Sequence, residues 1–385
     1  MKDQFLLDPS ITYLNFGSFG ACPKPVFRAY QEFQSELERG PVQFMVNTGL
    51  TSLKEARVRL ASYLSCDSDD LVLMTNPSYG INTIVKSIPL NAGDEILTTN
   101  LEYGAMDRTW KYYCKQRGAI YRTVEFNFPI LSKEEFLKTF WSGCTSRTRA
   151  VFISHMTSAT ALILPIEEIC IEAKKRGIMT IIDGAHIPGQ LPLNLKELDP
   201  DIYVGACHKW MMSPKGAAFL YVKKVHQGWV DPLLISWGYQ SDTPSHSQFI
   251  DYHETTGTRD FSAFLAVPSA IDFMERYDWN SKRLRCQQKT IYWAERLKST
   301  FGFEPIAPID STFIGQMFSM PIKTNDLMAL KEVLFNRFSI EVPVFLNHQD
   351  AFIRFSYQVF NTDEDMEGLV KALKVLQKEK YFSIH

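Results

Sequence analysis

The chain has 385 residues, of which 45% are hydrophobic and 22% charged, and its formal net charge is −2. A chain of this size buries a substantial core and is expected to form two lobes rather than one, and its near-neutral balance gives no attraction to nucleic acid or to an anionic membrane. No apolar run approaches the roughly 20 residues that span a bilayer, and the opening MKDQFLLDPS lacks the apolar region of a signal peptide, so a cytoplasmic location is expected. Seven cysteines (Cys22, Cys66, Cys114, Cys144, Cys170, Cys207 and Cys286) show no CxxC spacing and are odd in number, which predicts free thiols and no structural zinc.

In chain order, LVLM (71–74), EILTT (95–99), IYRTV (120–124), AVFIS (150–154), MTIID (179–183), DIYVG (201–205) and AFLYV (218–222) are apolar runs of strand length. Helix-period segments lie between several of them: INTIVKSI, MDRTWKYYCKQRG and PIEEICIEAKKRG, the last two closing on a glycine. Alternation of this kind predicts an α/β fold with a mainly parallel, seven-stranded sheet flanked by helices on both faces. After about residue 262 the pattern changes to long amphipathic helices followed by STFIGQMFSM and a terminal α+β stretch. A large domain over 20–262 is therefore expected, with 1–19 and 263–385 forming an N-terminal arm and a smaller C-terminal α+β domain.

The segment 179–222 carries the clearest chemistry. It sets Asp183 at the carboxyl end of one apolar strand and Lys209 just beyond a second, among small and turn-forming residues. Ligands of open α/β sheets bind at such strand ends. The pair suits pyridoxal 5'-phosphate (PLP): a lysine holds the cofactor as a Schiff base, and a carboxylate keeps the pyridine nitrogen protonated so that the ring remains an electron sink. On residues alone, several other positions stay ambiguous. TNPSYGIN (75–82) is either a phosphate-binding helix start, with Ser78 adding a hydroxyl, or an ordinary strand-to-helix turn. Tyr103 is either a ring stacked on a cofactor or a strand-end packing residue. Arg354, alternating with Ile353 and Phe355, is either an inward guanidinium that forks onto a carboxylate or an exposed strand residue.

The stretches DGAH, HKW and SPKGAAFLYV resemble the cofactor-binding core of the class V aminotransferase family of fold-type I PLP-dependent enzymes, specifically its isopenicillin N epimerase-like branch. The similarity extends from YLNFGSFG to IRFSYQVFN. The resemblance implies phosphate binding by the loop with Pro77 and Ser78, where proline is a mild departure, and stacking of Tyr103 on the cofactor. It further implies cofactor or substrate contacts from Ser158 and Thr160, in Ser-Ala-Thr where many relatives read Ser-Pro-Thr. His186 is placed by it at the ring oxygen or substrate and His208 at the phosphate side. TTGTRD (255–260) resembles a turn that reaches across a dimer interface, with Thr258 donating to the neighbour's phosphate, and so implies a homodimer with composite active sites. Asn15, Ser18 and Arg354, with Asn361 behind the arginine, are implied at the substrate.

No cysteine follows Cys286, whereas cysteine desulfurases carry a nucleophilic cysteine on a loop before the carboxylate-binding arginine. Persulfide-forming desulfuration is therefore disfavoured. An amino-acid epimerase acting by α-proton abstraction leads, with a β-lyase on a sulfur-substituted amino acid or an aminotransferase as alternatives. All three need Lys209, Asp183 and Arg354. A non-catalytic scaffold on the same fold is expected to have lost Lys209 or Asp183, and both are present.

Overall fold

A computed structural model describes residues 1–384. Its strands are β1 (Thr12–Tyr13), β2 (Leu71–Met74), β3 (Glu95–Thr99), β4 (Ile120–Val124), β5 (Thr148–Ser154), β6 (Met179–Asp183), β7 (Ile202–Ala206), β8 (Ala218–Val222), β9 (Met317–Ile322), β10 (Ile340–Glu341), β11 (Val344–Asn347) and β12 (Asp350–Ser356). Seven of them build one sheet in the order β2-β8-β7-β6-β5-β3-β4. The pairs from β7 through β4 are parallel, while β8 is antiparallel to both its neighbours. All seven apolar runs named from the sequence are these strands. The reversal of β8 follows from its connection: residues 207–217 leave too little chain for a helical crossover, so the strand must turn straight back.

Both faces of this sheet are buried along β2, β3, β7 and β8, whereas the edge strand β4 is largely exposed or half-buried. Along β5, Val151 and Ile153 enter one hydrophobic cluster and Phe152 the other, as the two-residue period of a strand requires. Helices cover each side. The helices Gly104–Arg117 and Ile166–Arg176 both end on a left-handed glycine, Gly118 and Gly177, whose positive φ lets the chain leave the last turn. A helix also starts four residues earlier than the INTIVKSI periodicity suggests: it spans Pro77–Ser87, with Asn76 as its cap and proline at its first position.

Beyond the large sheet, β11, β12 and β9 form an antiparallel three-stranded sheet, accompanied by the helices Trp279–Phe301, Leu327–Phe338 and Asp363–Lys378. The N-terminal arm is bound to this part of the molecule. Strand β1 pairs in parallel with β10, Leu14 accepts the Ser356 N–H at 2.7 Å, and Asn361 donates to the Tyr13 carbonyl at 2.9 Å. All seven cysteines stand unpaired. Among the described residues no helix is long and apolar enough to cross a membrane, and no cluster of His, Cys, Asp or Glu has the arrangement of a metal site.

Fold and site meet at Gly184, immediately after β6. A Cβ there would lie 2.1 Å from the ring of Tyr203, which is fully buried and bonded through its hydroxyl to His155 at 3.0 Å. Gly184→Ala is therefore expected to destabilise the protein by about 1–3 kcal/mol through overpacking, measured by chemical denaturation, and to weaken PLP binding because Asp183 precedes it. Gly177→Ala, where nothing crowds the Cβ, should lower stability while leaving PLP affinity unchanged.

Candidate active site

The carboxyl ends of β2, β3, β5, β6 and β7 open into one cleft, and the N-terminal arm closes its outer side. Its walls carry Ser18 and Phe19 from the arm, Asn76, Pro77 and Ser78 after β2, Tyr103 after β3, and Ser154 and Ser158 at and after β5. Asp183, Ala185 and His186 come from the end of β6, and His208 and Lys209 from the loop after β7. Parallel strands deliver all of these to one edge because each crossover returns the chain to the same end of the sheet.

At the centre, Asp183 accepts the Ala185 N–H through Oδ1 at 3.0 Å, and Ser154 lies opposite it in the register of β5 and β6. Burial raises the Asp183 carboxyl, against the pull of that backbone bond and of Lys209. Lys209, in turn, is lowered to about 8, chiefly by burial, with Asp183 acting in the opposite sense. The Nζ of Lys209 stands 3.3 Å from His186 Nε2, while Trp210 donates its indole N–H to His186 Nδ1 at 3.4 Å. That bond assigns the imidazole proton to Nε2, so the lysine can take it only with a free lone pair, as a neutral amine. Burial and the Lys209 charge hold His186 well below the usual imidazole range, which keeps it uncharged beside the lysine.

The second cation is Arg354 on β12, 1% exposed. It donates to the Ser158 carbonyl and, at 3.2 Å, to Ser18 Oγ, and it lies 4.7 Å from the centre of the Phe345 ring. Its Nε has no partner. Burial pulls the guanidinium down to about 9, yet arginine does not give up its proton in proteins; an anion would relieve the penalty. Ser18 passes its own proton to Asn15 Oδ1 at 2.5 Å, and Asn15 donates onward to Glu341 at 3.3 Å. Asn15, expected at the substrate, thus spends its amide on Ser18 and Glu341 and lies outside the cleft wall. Gly17 is required here because a Cβ would sit 2.2 Å from the Met317 sulfur.

The start of the Pro77–Ser87 helix faces the cleft. Asn76 caps it by accepting the Tyr79 N–H at 2.8 Å, and Pro77 and Ser78 form its first turn at the cleft wall. His208 donates through Nδ1 to the Ala217 carbonyl at 2.8 Å, and burial holds it down at about 4. The loop bearing His208 and Lys209 is clamped by the arm: Gly20 has φ +65, and a Cβ on it would lie 2.4 Å from the His208 carbonyl oxygen and 2.5 Å from that of Lys209. One expected contact falls elsewhere. Thr160 is buried and its hydroxyl is shared with that of Thr157 at 2.6 Å, which removes it from the cleft. Thr258 is exposed, away from the cleft of its own chain.

Glu102 was not anticipated from the sequence. It is buried beside Tyr103 and accepts from Thr99 Oγ1 at 2.8 Å, Ser154 N at 2.8 Å and Ser154 Oγ at 2.6 Å. Burial raises its carboxyl to about 8, and the hydroxyl donors oppose the rise. These bonds tie the loop after β3 to the end of β5 and hold the backbone that carries Tyr103. An acidic residue three positions past a buried strand end was the available signal.

The family model "Aminotransferase class-V" matches residues 20–369. The chain belongs to the class V aminotransferase family. It is 35% identical to an isopenicillin N epimerase of Amycolatopsis lactamdurans and 32% identical to one of Streptomyces clavuligerus, each alignment covering 98% of both chains. A probable chloroplastic L-cysteine desulfhydrase of Arabidopsis thaliana is 25% identical over 97% of this chain and 84% of its own. Among solved structures, the enzyme C-DES with glycine covalently linked to its PLP cofactor superposes with a TM-score of 0.85 at 20% identity, covering 97% of this chain and 98% of the other. A cysteine desulfurase of Escherichia coli gives 0.82 at 21% identity, covering 98% of each chain. The fold is that of the fold-type I PLP-dependent enzymes, and the protein is a PLP-dependent class V enzyme. Its residues fit the cofactor: a half-buried lysine whose amine is lowered to about 8, a buried carboxylate with one oxygen uncommitted to backbone, and a helix start at the cleft wall.

A pH dependence of stability follows from Lys209. Its folded value of about 8 lies below its ordinary 10.5, so between these the unfolded chain binds more protons and stability rises with pH. Below pH 8 the buried charge is a standing penalty. In PLP-free protein, Lys209→Met should therefore raise stability by something on the order of 2–3 kcal/mol at pH 7, and the difference from wild type should shrink from pH 8 to 10.5, read by chemical denaturation.

Proposed function

We propose that the protein is an amino-acid epimerase-like enzyme that uses Lys209 to abstract the α-proton of its substrate. When bound, PLP supplies an electron sink for the pair released at the α-carbon. Lys209 would hold the cofactor covalently and, once displaced by the substrate amine, move the α-proton. Asp183 would pair with the pyridine nitrogen, Pro77, Ser78 and His208 would face the phosphate, and His186 would lie beside the lysine amine. Arg354 would take the α-carboxylate between Ser18 and Ser158. The observation that supports this reading is the buried Arg354 guanidinium, whose Nε has no partner and whose other nitrogens donate to Ser158 and Ser18, two residues that line the cleft with Lys209, in a chain 35% identical to an isopenicillin N epimerase over 98% of its length.

A β-lyase is the second reading, supported by the relatives named as L-cysteine desulfhydrases; it needs the same residues and differs in expelling a group from the β-carbon. Persulfide chemistry is disfavoured by Cys286, which lies buried on the Trp279–Phe301 helix with its thiol pushed up to about 12, while β11, β12 and their turn contain no cysteine. Residues 20–262 would carry the cofactor and 1–19 with 263–385 the substrate clamp. A second copy would bring Thr258 to the neighbouring phosphate, and the exposed Leu234, Ile235 and Trp237 nearby in sequence are apolar surface suited to such a contact.

Incubating the PLP-loaded enzyme with candidate L-amino acids in D₂O separates the readings: deuterium at the α-carbon with inversion supports epimerisation, and release of ammonia with a keto acid supports a lyase. A protein that binds no PLP overturns both. Arg354→Lys keeps the charge but loses the fork, and should raise KM roughly ten- to hundredfold with a smaller change in kcat.

A further inference from the structure

Inversion at an α-carbon needs a proton on the face opposite the one that lost it. On the epimerase reading, Lys209 serves one face, and the cleft can be searched for the group that serves the other. Most of its protic side chains are committed. Ser18 donates to Asn15, Ser154 to Glu102, and Asn76 caps the Tyr79 amide. His208 is turned to the Ala217 carbonyl, and His186 lies against Lys209 itself, on the same side. Asp183 sits at the foot of the cleft, and Ser78 belongs to the helix start that faces the phosphate. Two hydroxyls remain on the wall, those of Tyr103 and Ser158, and a phenol is by far the better proton donor.

The topology sets Tyr103 and the lysine on opposite sides of the Asp183 strand. In the sheet order β7-β6-β5-β3, Lys209 follows β7 on one side of the Asp183 strand, and Tyr103 follows β3, two strands to the other side. Tyr103 makes no capping bond to the helix it precedes and is 48% exposed, so its hydroxyl is uncommitted and can exchange protons with water. Its backbone is nevertheless fixed, because Glu102 is held by three hydrogen bonds.

We propose that Tyr103 is the acid and base for the second face of the α-carbon, opposite Lys209. In one direction the Lys209 amine takes the α-proton and the C–H electron pair stays with carbon. That pair then forms the new C–H bond with the proton of the Tyr103 hydroxyl on the opposite face, leaving ammonium and phenolate. Water returns a proton to the phenolate and removes one from the ammonium. The reverse reaction exchanges the two roles, and no oxidant or reductant is consumed.

The test uses the PLP-loaded wild type and Tyr103→Phe in D₂O, with isopenicillin N and L-alanine as probes. The variant should bind PLP with unchanged affinity and absorbance, since the stacked ring is kept. It should still wash deuterium into the α-position with retention, within a fewfold of wild type, because Lys209 is intact. Inversion should fall by roughly a hundredfold or more, the ordinary share of a positioned general acid. Inversion within twofold of wild type overturns the assignment and leaves Lys209 serving both faces. Equal loss of exchange and inversion, or loss of PLP affinity, also overturns it, since that marks a structural ring. A wild type that exchanges neither probe defeats the epimerase reading underneath, and the assignment falls with it.

Discussion

Lys209 and Arg354 are cations that the fold takes out of water without giving either a carboxylate at hydrogen-bond distance. Desolvation on this scale is costly, and everything around the cleft is arranged to tolerate it. His186 is kept neutral by burial, so it adds no like charge beside Lys209. Arg354 is met by oxygen dipoles, the Ser158 carbonyl and Ser18 hydroxyl, and by the face of Phe345, none of which cancels its charge. A carbonyl-bearing cofactor on the lysine and a carboxylate on the arginine would relieve both penalties together.

The N-terminal arm makes that arrangement possible. It pairs with β10, places Ser18 on Arg354, and presses Gly20 against the carbonyls of His208 and Lys209. Arg354 and the loop that carries Lys209 are thus both held by one short segment, LNFGSFG. Glycine at 17 and 20 is demanded by close approach on one side to Met317 and on the other to the lysine loop, the latter also needing a left-handed backbone. The arm's remaining polar groups are satisfied internally through Asn15 and Glu341.

Much of the molecule was legible in advance because its signals are local. Seven apolar runs bounded by turn residues became the seven strands of the large sheet, and two glycine helix ends became left-handed caps. Asp183 and Lys209 were visible because strand ends and small residues flank them. The direction of β8 was not visible, since a strand reads the same in either direction and only the short 207–217 connection decides it. Thr160 and Asn15 went astray for a related reason: sequence places a side chain in a neighbourhood, while its hydrogen-bond partners, Thr157 in one case and Ser18 with Glu341 in the other, decide where it points. Glu102 was overlooked because its importance rests on Ser154, 52 positions away.

By itself, then, the sequence determined the element types, the α/β class and the cofactor, all of which depend on periodicity and on residues close along the chain. The tertiary structure alone decided that Arg354 is buried without a counter-ion, that the arm from the first twenty residues clamps the Lys209 loop, and that Tyr103 stands across the Asp183 strand from the lysine. Those relations join residues more than a hundred positions apart. They exist only once the sheet has set its strand order and desolvation has been distributed among the groups that meet there.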